Sequence, residues 1–129
     1  MGLSQADGMV GVLVDTCGWI SLVDAGLNLD SSLGEVVGEA NLILIDSVRD
    51  ELEALDAERR GLLLDLLYVR ADSATAEGIS HTDDALVTLS VQNSWPVLTV
   101  DRRLKERLID AGGSYIEVTS GPALRLVSA

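Results

Sequence analysis

Four acidic residues lie near the ends of short apolar runs in this chain. Asp15 follows VGVLV, Glu51 follows NLILI by part of a helical turn, Asp84 lies in HTDDALV, and Asp101 follows PVLTV. If the apolar runs are parallel strands joined by right-handed crossovers, their carboxyl ends share one edge of a sheet. Carboxylates gathered there would repel each other unless a cation joined them, and Mg²⁺ and Mn²⁺ prefer such oxygen ligands. The pattern predicts a divalent-metal site and metal-assisted phosphodiester hydrolysis.

Each acid also has an ordinary structural interpretation. Asp15 and Asp101 precede predicted helices, where Asp is a favoured N-cap. Asp84 lies in the first turn of a helix that Ser80 could cap, and negative charge suits that end of the helix dipole. Glu51 could be a solvated helix residue. Caps do not require a carboxylate each time, because Ser, Thr and Asn serve as well, so the acid-only set favours the metal site.

The elements that must position these acids alternate between strand and helix. Continuous apolar runs predict strands at residues 10–14, 41–45, 67–71, 97–100 and 114–118. Helical spacing of apolar residues predicts helices at residues 17–25, 30–38, 47–66, 82–92 and 102–111, with a loop at 74–80. Buried strands between helices predict a three-layer α/β/α sandwich with a central parallel sheet of four to five strands.

The size and composition of the chain predict one folded domain. It has 129 residues, 47% of them hydrophobic, and a mean hydropathy of +0.29. Phe is absent, so the core must be built from aliphatic side chains. We expect a single domain over residues 1–129, with its core at about 10–118 and short flexible tails at both ends.

The charge of the chain bears on its partners in two ways. A net charge of −12 weighs against broad contact with nucleic-acid phosphates, which requires Lys and Arg. Four basic residues are nevertheless clustered and could bind an RNA backbone near the metal: Arg102, Arg103, Lys105 and Arg107. The alternative is a solvated helix face with ion pairs such as Arg102–Glu106.

Cysteine and histidine usage excludes some kinds of site. Cys17 is the only cysteine, which excludes an intramolecular disulfide, and with the lone His81 it excludes a Cys/His zinc cage within one chain. We interpret His81 as a loop residue, and Trp19 and Trp95 as packing residues rather than platforms for RNA bases. The opening MGLSQADGM lacks a signal-peptide pattern, and VGVLV is too short to span a membrane. We therefore expect a cytoplasmic protein without a membrane partner.

Four blocks of the sequence, in this order, resemble those of PIN-domain ribonucleases. They are VLVDTCGWISL, SVRDELEAL, HTDDALVTLS and VLTVDRRLKERL, and the resemblance covers about residues 10–118. Their detailed patterns are most similar to the archaeal and eukaryotic branch of small-subunit ribosomal RNA processing nucleases. The toxin ribonucleases of toxin–antitoxin pairs are the near relatives.

The resemblance implies a role for particular residues of this chain. Catalytic, metal-binding acids are implied at Asp15, Glu51, Asp84 and Asp101. Asp83 would be a partner of Asp84 or the ligand itself, and Glu53 is a weaker candidate of the same kind. Hydroxyl groups that bind carboxylates or phosphate are implied at Thr16 and Thr99. Cys17 departs from the usual Asn or Ser, and because a thiol donates poorly, it could lower the activity.

Together these observations predict a Mg²⁺- or Mn²⁺-dependent endoribonuclease that acts on RNA, with ribosomal precursor RNA as the substrate implied by the branch. A toxin ribonuclease silenced by an antitoxin is one alternative. A non-catalytic PIN-like binding module is another, which Cys17 and the net charge slightly favour and the intact set of acids argues against. A phosphorylation-receiver domain shares the architecture, but it needs an acid pair after its first strand. A homodimer and a ribosome-assembly protein are further partners that remain open.

Overall fold

The computed structural model describes residues 10–58, 61–75 and 81–129. The strands in these ranges are β1 (Val10–Val14), β2 (Ala40–Ile45), β3 (Ala71–Ala74), β4 (Val97–Leu98), β5 (Ser114–Thr119) and β6 (Ala123–Ser128). The helices are α1 (Thr16–Asp24), α2 (Leu29–Val37), α3 (Asp46–Glu58), α4 (Leu64–Arg70), α5 (Thr82–Asn93) and α6 (Arg102–Asp110). The predicted N-terminal tail at 1–9, positions 59–60 of the predicted helix and positions 76–80 of the predicted loop, with Ser80, lie outside the described residues.

The strands form one mostly parallel sheet flanked by helices, as predicted. Their order is β3-β2-β1-β4-β5-β6, and every neighbouring pair is parallel except the antiparallel pair β5 and β6. β1 and β4 are central neighbours, so the residues that follow them emerge side by side. The described sheet has six strands, one more than the upper limit of the prediction.

The additional strand is β6, where the prediction of a flexible C-terminal tail is wrong. Ala123–Ser128 pairs with β5 in the register Thr119↔Ala123 to Ser114↔Ser128. Leu124 is buried against the core, whereas its neighbours are exposed. The segment ALRLVS has one buried side chain to mark it as a strand, and its backbone is stabilised mainly by pairing with β5.

The region between α3 and α5 also differs from the prediction. The strand predicted at 67–71 is the second half of α4, and the strand β3 follows it as the polar segment ADSA. The helix predicted to run to residue 66 is interrupted, because Gly61 and Leu63 have positive φ angles of 92° and 53°. An edge strand such as β3 is stabilised by backbone pairing and does not require apolar side chains, so its sequence does not identify it as a strand.

Both tryptophans pack inside the fold, as predicted. Trp19 is 1% exposed, and its Nε1 donates a hydrogen bond to the Leu62 carbonyl oxygen at 2.6 Å. The Trp95 ring lies against Gly11, where an added Cβ would come within 2.4 Å of it. The other fully buried large side chains among the described residues are aliphatic, in agreement with the composition.

Gly18 sets the distance between α1 and the end of β4. A Cβ at this position would lie 2.1 Å from the Leu98 carbonyl oxygen and 2.9 Å from the Thr99 Cα atom. Only a glycine allows such close packing of helix and strand backbones. The contact brings the first turn of α1 to the carboxyl end of β4, next to the residues considered below.

Candidate functional site

Asp15 is fixed between the ends of β1 and β4. It caps α1, since its Oδ1 accepts a hydrogen bond from the Thr16 backbone N–H at 2.8 Å. Its Oδ2 accepts from the Thr99 hydroxyl at 2.9 Å and from the Cys17 thiol at 3.2 Å. Asp15 is 7% exposed and Thr99 is fully buried, so this carboxylate has little freedom to reorient.

The burial of Asp15 raises its pKa above the ordinary value, because a desolvated carboxylate is costly to ionise. Hydrogen bonds from Cys17, Thr99 and Thr16 act in the opposite direction, and the negative charge of Glu51 raises the pKa further. Burial also raises the pKa of the Cys17 thiol. The thiol therefore remains a neutral donor to Asp15 and does not add another negative charge.

Two threonine hydroxyls hold Glu51 at the side of α3 that faces α1 and α5. Thr16 Oγ1 donates to Glu51 Oε1 at 2.5 Å, and Thr82 Oγ1 donates to Glu51 Oε2 at 3.3 Å. One carboxylate thereby joins the first turns of α1 and α5 to α3. Thr82 was not among the predicted site residues. Its position next to the acid pair at the start of a helix is the sequence feature that could have indicated its role.

Asp101 occupies the end of the β4 segment and caps α6. Its Oδ1 accepts from the backbone N–H groups of Arg103 at 2.9 Å and Leu104 at 3.3 Å. Its own backbone N–H donates to Thr99 Oγ1 at 3.1 Å. The Thr99 hydroxyl thus accepts from Asp101 and donates to Asp15, which links the two acids that follow the central strands.

The adjacent acids of α5 have different surroundings. The pKa of Asp83 is raised, first by burial and then by the negative charges of Asp15, Asp101 and Glu51, with Arg107 acting in the opposite direction. Asp84 forms an ion pair with Arg107, in which Asp84 Oδ1 lies 2.5 Å from Arg107 Nη2. A cleft of about 510 Å³ is lined by Glu51, His81, Thr82, Asp83, Asp84 and Arg107.

The four basic residues predicted to bind RNA are not equivalent. Arg107 alone among them lines the described cleft. Lys105 pairs with Glu117 at 2.7 Å and lies over the Tyr115 ring. Arg102 pairs with Glu106 at 3.7 Å on a solvated helix face, as the alternative interpretation predicted. Arg103 is exposed on the same helix.

The chemistry of the donor set fits a hard divalent cation. The acids supply carboxylate oxygens only, and their mutual repulsion would be relieved by such an ion. The described residues nevertheless contain no preformed group of three or more Asp, Glu, His or Cys side chains arranged to hold a metal ion. Both oxygens of Asp15 and both of Glu51 instead accept hydrogen bonds within the protein. A carboxylate oxygen that accepts one hydrogen bond keeps a further lone pair that could bind a metal ion.

A family model described as a PIN-like domain matches residues 12–120, and the chain belongs to this family. The solved structure of the PIN domain endonuclease Utp24 is similar to this one, with a TM-score of 0.76 and 21% sequence identity. The similarity covers 92% of each chain and establishes the fold. A comparison with curated proteins found no match. Among the described helices, none is long and apolar enough to cross a membrane.

Proposed function

We propose that the protein is a metal-dependent endoribonuclease that hydrolyses RNA phosphodiester bonds. The observation that carries this proposal is the meeting of acids from four elements at one edge of the sheet. Asp15 and Asp101 are linked through Thr99, and Glu51 and the acid pair of α5 line the adjoining cleft. Membership of the PIN-like family and the similarity to an endonuclease support the same activity.

The residues that would hold Mg²⁺ or Mn²⁺ are Asp15, Glu51, Asp101 and one or both acids of the pair Asp83–Asp84. When bound, such an ion polarises a phosphate oxygen and lowers the pKa of a water molecule. The hydrogen bonds that hold Asp15 and Glu51 restrict their rotamers, so the site is partly organised before a ligand arrives. The Thr99 hydroxyl keeps the spacing between Asp15 and Asp101.

Substitution of the two acids beside the central strands tests this proposal. We expect Asp15→Asn and Asp101→Asn to abolish Mg²⁺-dependent cleavage of RNA while the protein stays folded, because Asn also serves as an N-cap at both positions. Cleavage of a labelled RNA and circular dichroism would be measured on both variants. Asp65→Asn, at an exposed position of α4, is the matched control and should cleave normally. Retained cleavage in both site variants would overturn the assignment.

A non-catalytic binding module is the second candidate, and one observation favours it. The described acids form no preformed metal cage, and their oxygens are engaged in hydrogen bonds within the protein. Titration of wild-type protein with Mn²⁺ by calorimetry distinguishes the two candidates. Saturable binding that is lost in an Asp15→Asn, Asp101→Asn double variant supports the nuclease. Absence of binding at millimolar metal, together with absence of cleavage, would support the module.

We also propose a substrate, partners and a cellular location for the protein. We propose ribosomal precursor RNA as the substrate, one domain for the whole chain and a cytoplasmic location. Assembly with an antitoxin or a ribosome-assembly protein remains a prediction from the resemblance. A homodimer is supported by Leu63, Leu66 and Val69, which expose apolar side chains at three-residue spacing in and just before α4.

A further inference from the structure

A second cleft, of about 550 Å³, lies between α6 and the start of β5. Its volume is in the range of clefts that bind small molecules. Arg102 directly follows Asp101, so one end of the cleft begins beside the acids, and the last residue of α6 lies about 12 Å farther along the helix axis. The residues that line the cleft are Arg102, Lys105, Glu106, Ile109, Asp110 and Tyr115.

One wall of this cleft suits a flat aromatic ligand. Tyr115 is half-buried, and Lys105 Nζ lies over its ring at 5.3 Å from the centroid. Glu117 holds the same ammonium group at 2.7 Å, which keeps the alkyl stem of Lys105 beside the ring. Ile109 lies one helical turn after Lys105, on the same side of α6. Aromatic and cationic side chains of this kind are the surfaces on which bases of single-stranded RNA pack.

Asp110 is a charged residue of the cleft whose presence the helix itself does not explain. It is the last residue of α6, where the negative end of the helix dipole disfavours a carboxylate. Glu106 lies four residues earlier on the same face and repels it. Arg102 pairs with Glu106 and Lys105 pairs with Glu117, whereas no cation pairs with Asp110 in the part of the chain that the structure describes. The Asp110 carboxylate therefore remains available to a ligand.

Guanine is the RNA base whose donors fit a carboxylate at the edge of such a wall. Its Watson–Crick edge carries two adjacent donors, N1–H and the N2 amino group, and the two oxygens of one carboxylate accept both. In adenine and cytosine, the amino group is next to a ring nitrogen that accepts hydrogen bonds and repels a carboxylate. In uracil, the N3–H group lies between two carbonyl oxygens. A carboxylate beside an aromatic wall therefore selects guanine among the four bases.

We propose that this cleft is a guanine-binding subsite for the RNA substrate, in which the base packs against Tyr115 and Asp110 accepts hydrogen bonds from N1–H and N2–H. This inference rests on the proposed function and adds a base preference to it. Metal-assisted hydrolysis alone supplies no such preference, because contacts to phosphates carry no sequence information. The cleft begins beside Asp101, so the bound guanine belongs to the same strand as the phosphodiester at the acids.

The first arm of the test compares bases in the wild-type protein. Four short fluorescent RNAs consist of uridines with a central guanosine, inosine, adenosine or uridine, and their binding is measured by anisotropy with Ca²⁺ in place of Mg²⁺. We expect the guanosine RNA to bind about fivefold or more tightly than the adenosine and uridine RNAs, as for one bidentate contact to a base. Inosine keeps N1–H but lacks the N2 amino group, so its RNA should fall between them. Equal affinities, or no binding of any of the four, would overturn the proposal.

The second arm tests the carboxylate. Asp110→Asn and Asp65→Asn each remove one negative charge from an exposed position on a helix, so they change the general attraction of RNA in the same way. We expect Asp110→Asn to lose the preference for guanosine over adenosine and uridine, and Asp65→Asn to keep it. A preference that Asp110→Asn retains, or that both variants lose, would overturn the role of Asp110.

The third arm tests the aromatic wall with two changes at one position. Tyr115→Leu should weaken binding of the guanosine RNA about fivefold or more, since it removes the ring on which the base packs. Tyr115→Phe keeps the ring and should bind like the wild type. Thermal unfolding of both variants checks that they are folded. An equal loss in Tyr115→Phe, or no loss in Tyr115→Leu, would overturn the packing of the base on Tyr115.

Failure of the subsite and failure of the proposed function give different results. A guanosine preference that depends on Asp110, in a protein that cleaves no RNA with Mg²⁺ or Mn²⁺, would support the subsite and reject the nuclease. Cleavage that depends on Asp15 and Asp101, with equal affinity for the four RNAs, would support the nuclease and reject the subsite.

Discussion

Asp15 shows how one residue combines structural and chemical demands. It caps α1, which an aspartate does well, but it is also buried beside Glu51, which makes its ionisation costly. Three donors from Thr16, Cys17 and Thr99 compensate this cost only in part, since its pKa remains raised. A serine or asparagine in place of Cys17 would donate more strongly than the thiol. This chain therefore keeps a carboxylate that gains from a bound cation.

The raised pKa of Asp15 predicts a pH-dependent stability difference. The pKa of Asp15 in the folded protein lies above the unfolded value of 3.8, so folding favours the protonated carboxyl group. The stability that this group contributes is fully present below pH 3.8 and is lost as the pH rises through the folded pKa. Asp15→Asn lacks this loss. Urea unfolding in EDTA at a series of pH values from about 4 to 7 should show the variant gaining stability relative to the wild type as pH rises. A stability difference independent of pH would contradict the raised pKa.

At the scale of elements, the site depends on the close packing of α1 on the end of β4. That packing places Asp15 and Cys17 within hydrogen-bonding distance of Thr99, and it is possible because residue 18 is a glycine. The hairpin of β5 and β6 forms the edge of the sheet next to β4. There, Glu117 is 8% exposed and pairs with Lys105 of α6 and Arg125 of β6.

Alanine substitution of two helical glycines tests the packing of α1. We expect Gly18→Ala to lower the free energy of unfolding by about 1–3 kcal/mol, because the new methyl group would overlap the Leu98 carbonyl oxygen. Gly34→Ala in α2 meets no atom within 4 Å and should raise it by about 0.5–1 kcal/mol through helix propensity. Urea denaturation of both variants gives the comparison. Equal effects would show that α1 can move away from β4 at little cost.

At the scale of the whole molecule, the charge of −12 opposes both compactness and approach of RNA. Nine basic residues against 21 acidic ones leave most of the surface negative. Screening by salt should therefore stabilise the fold, and a divalent cation should do so more strongly if it occupies a specific site. The two effects can be separated, because only the specific one depends on the site acids.

Thermal unfolding in NaCl and in MgCl₂ tests this separation. We expect the Tm of every variant to rise as NaCl is raised to about 0.15 M, since this salt screens charges beyond about 8 Å. At the same ionic strength, MgCl₂ should raise the Tm of the wild type and of Asp65→Asn further than that of Asp15→Asn. An identical response of all three proteins to MgCl₂ would show that the ion acts by screening alone.

The sequence by itself determined the fold class and the set of acids at one sheet edge. Apolar runs mark β1, β2, β4 and β5 because strands buried on both faces require them, and chain connectivity then brings Asp15 and Asp101 together. Local capping preferences identified the starts of α1 and α6, because a helix cap depends only on residues close in sequence.

Only the tertiary structure decided the features that depend on distant partners. The strands β3 and β6 carry little apolar signal, because each is defined by backbone pairing with a neighbour that local sequence does not reveal. Thr82 joined the site through a contact with Glu51, 31 residues earlier in the chain. The ion pair of Asp84 with Arg107 likewise depends on the position of α6, because the two residues are 23 positions apart in the sequence.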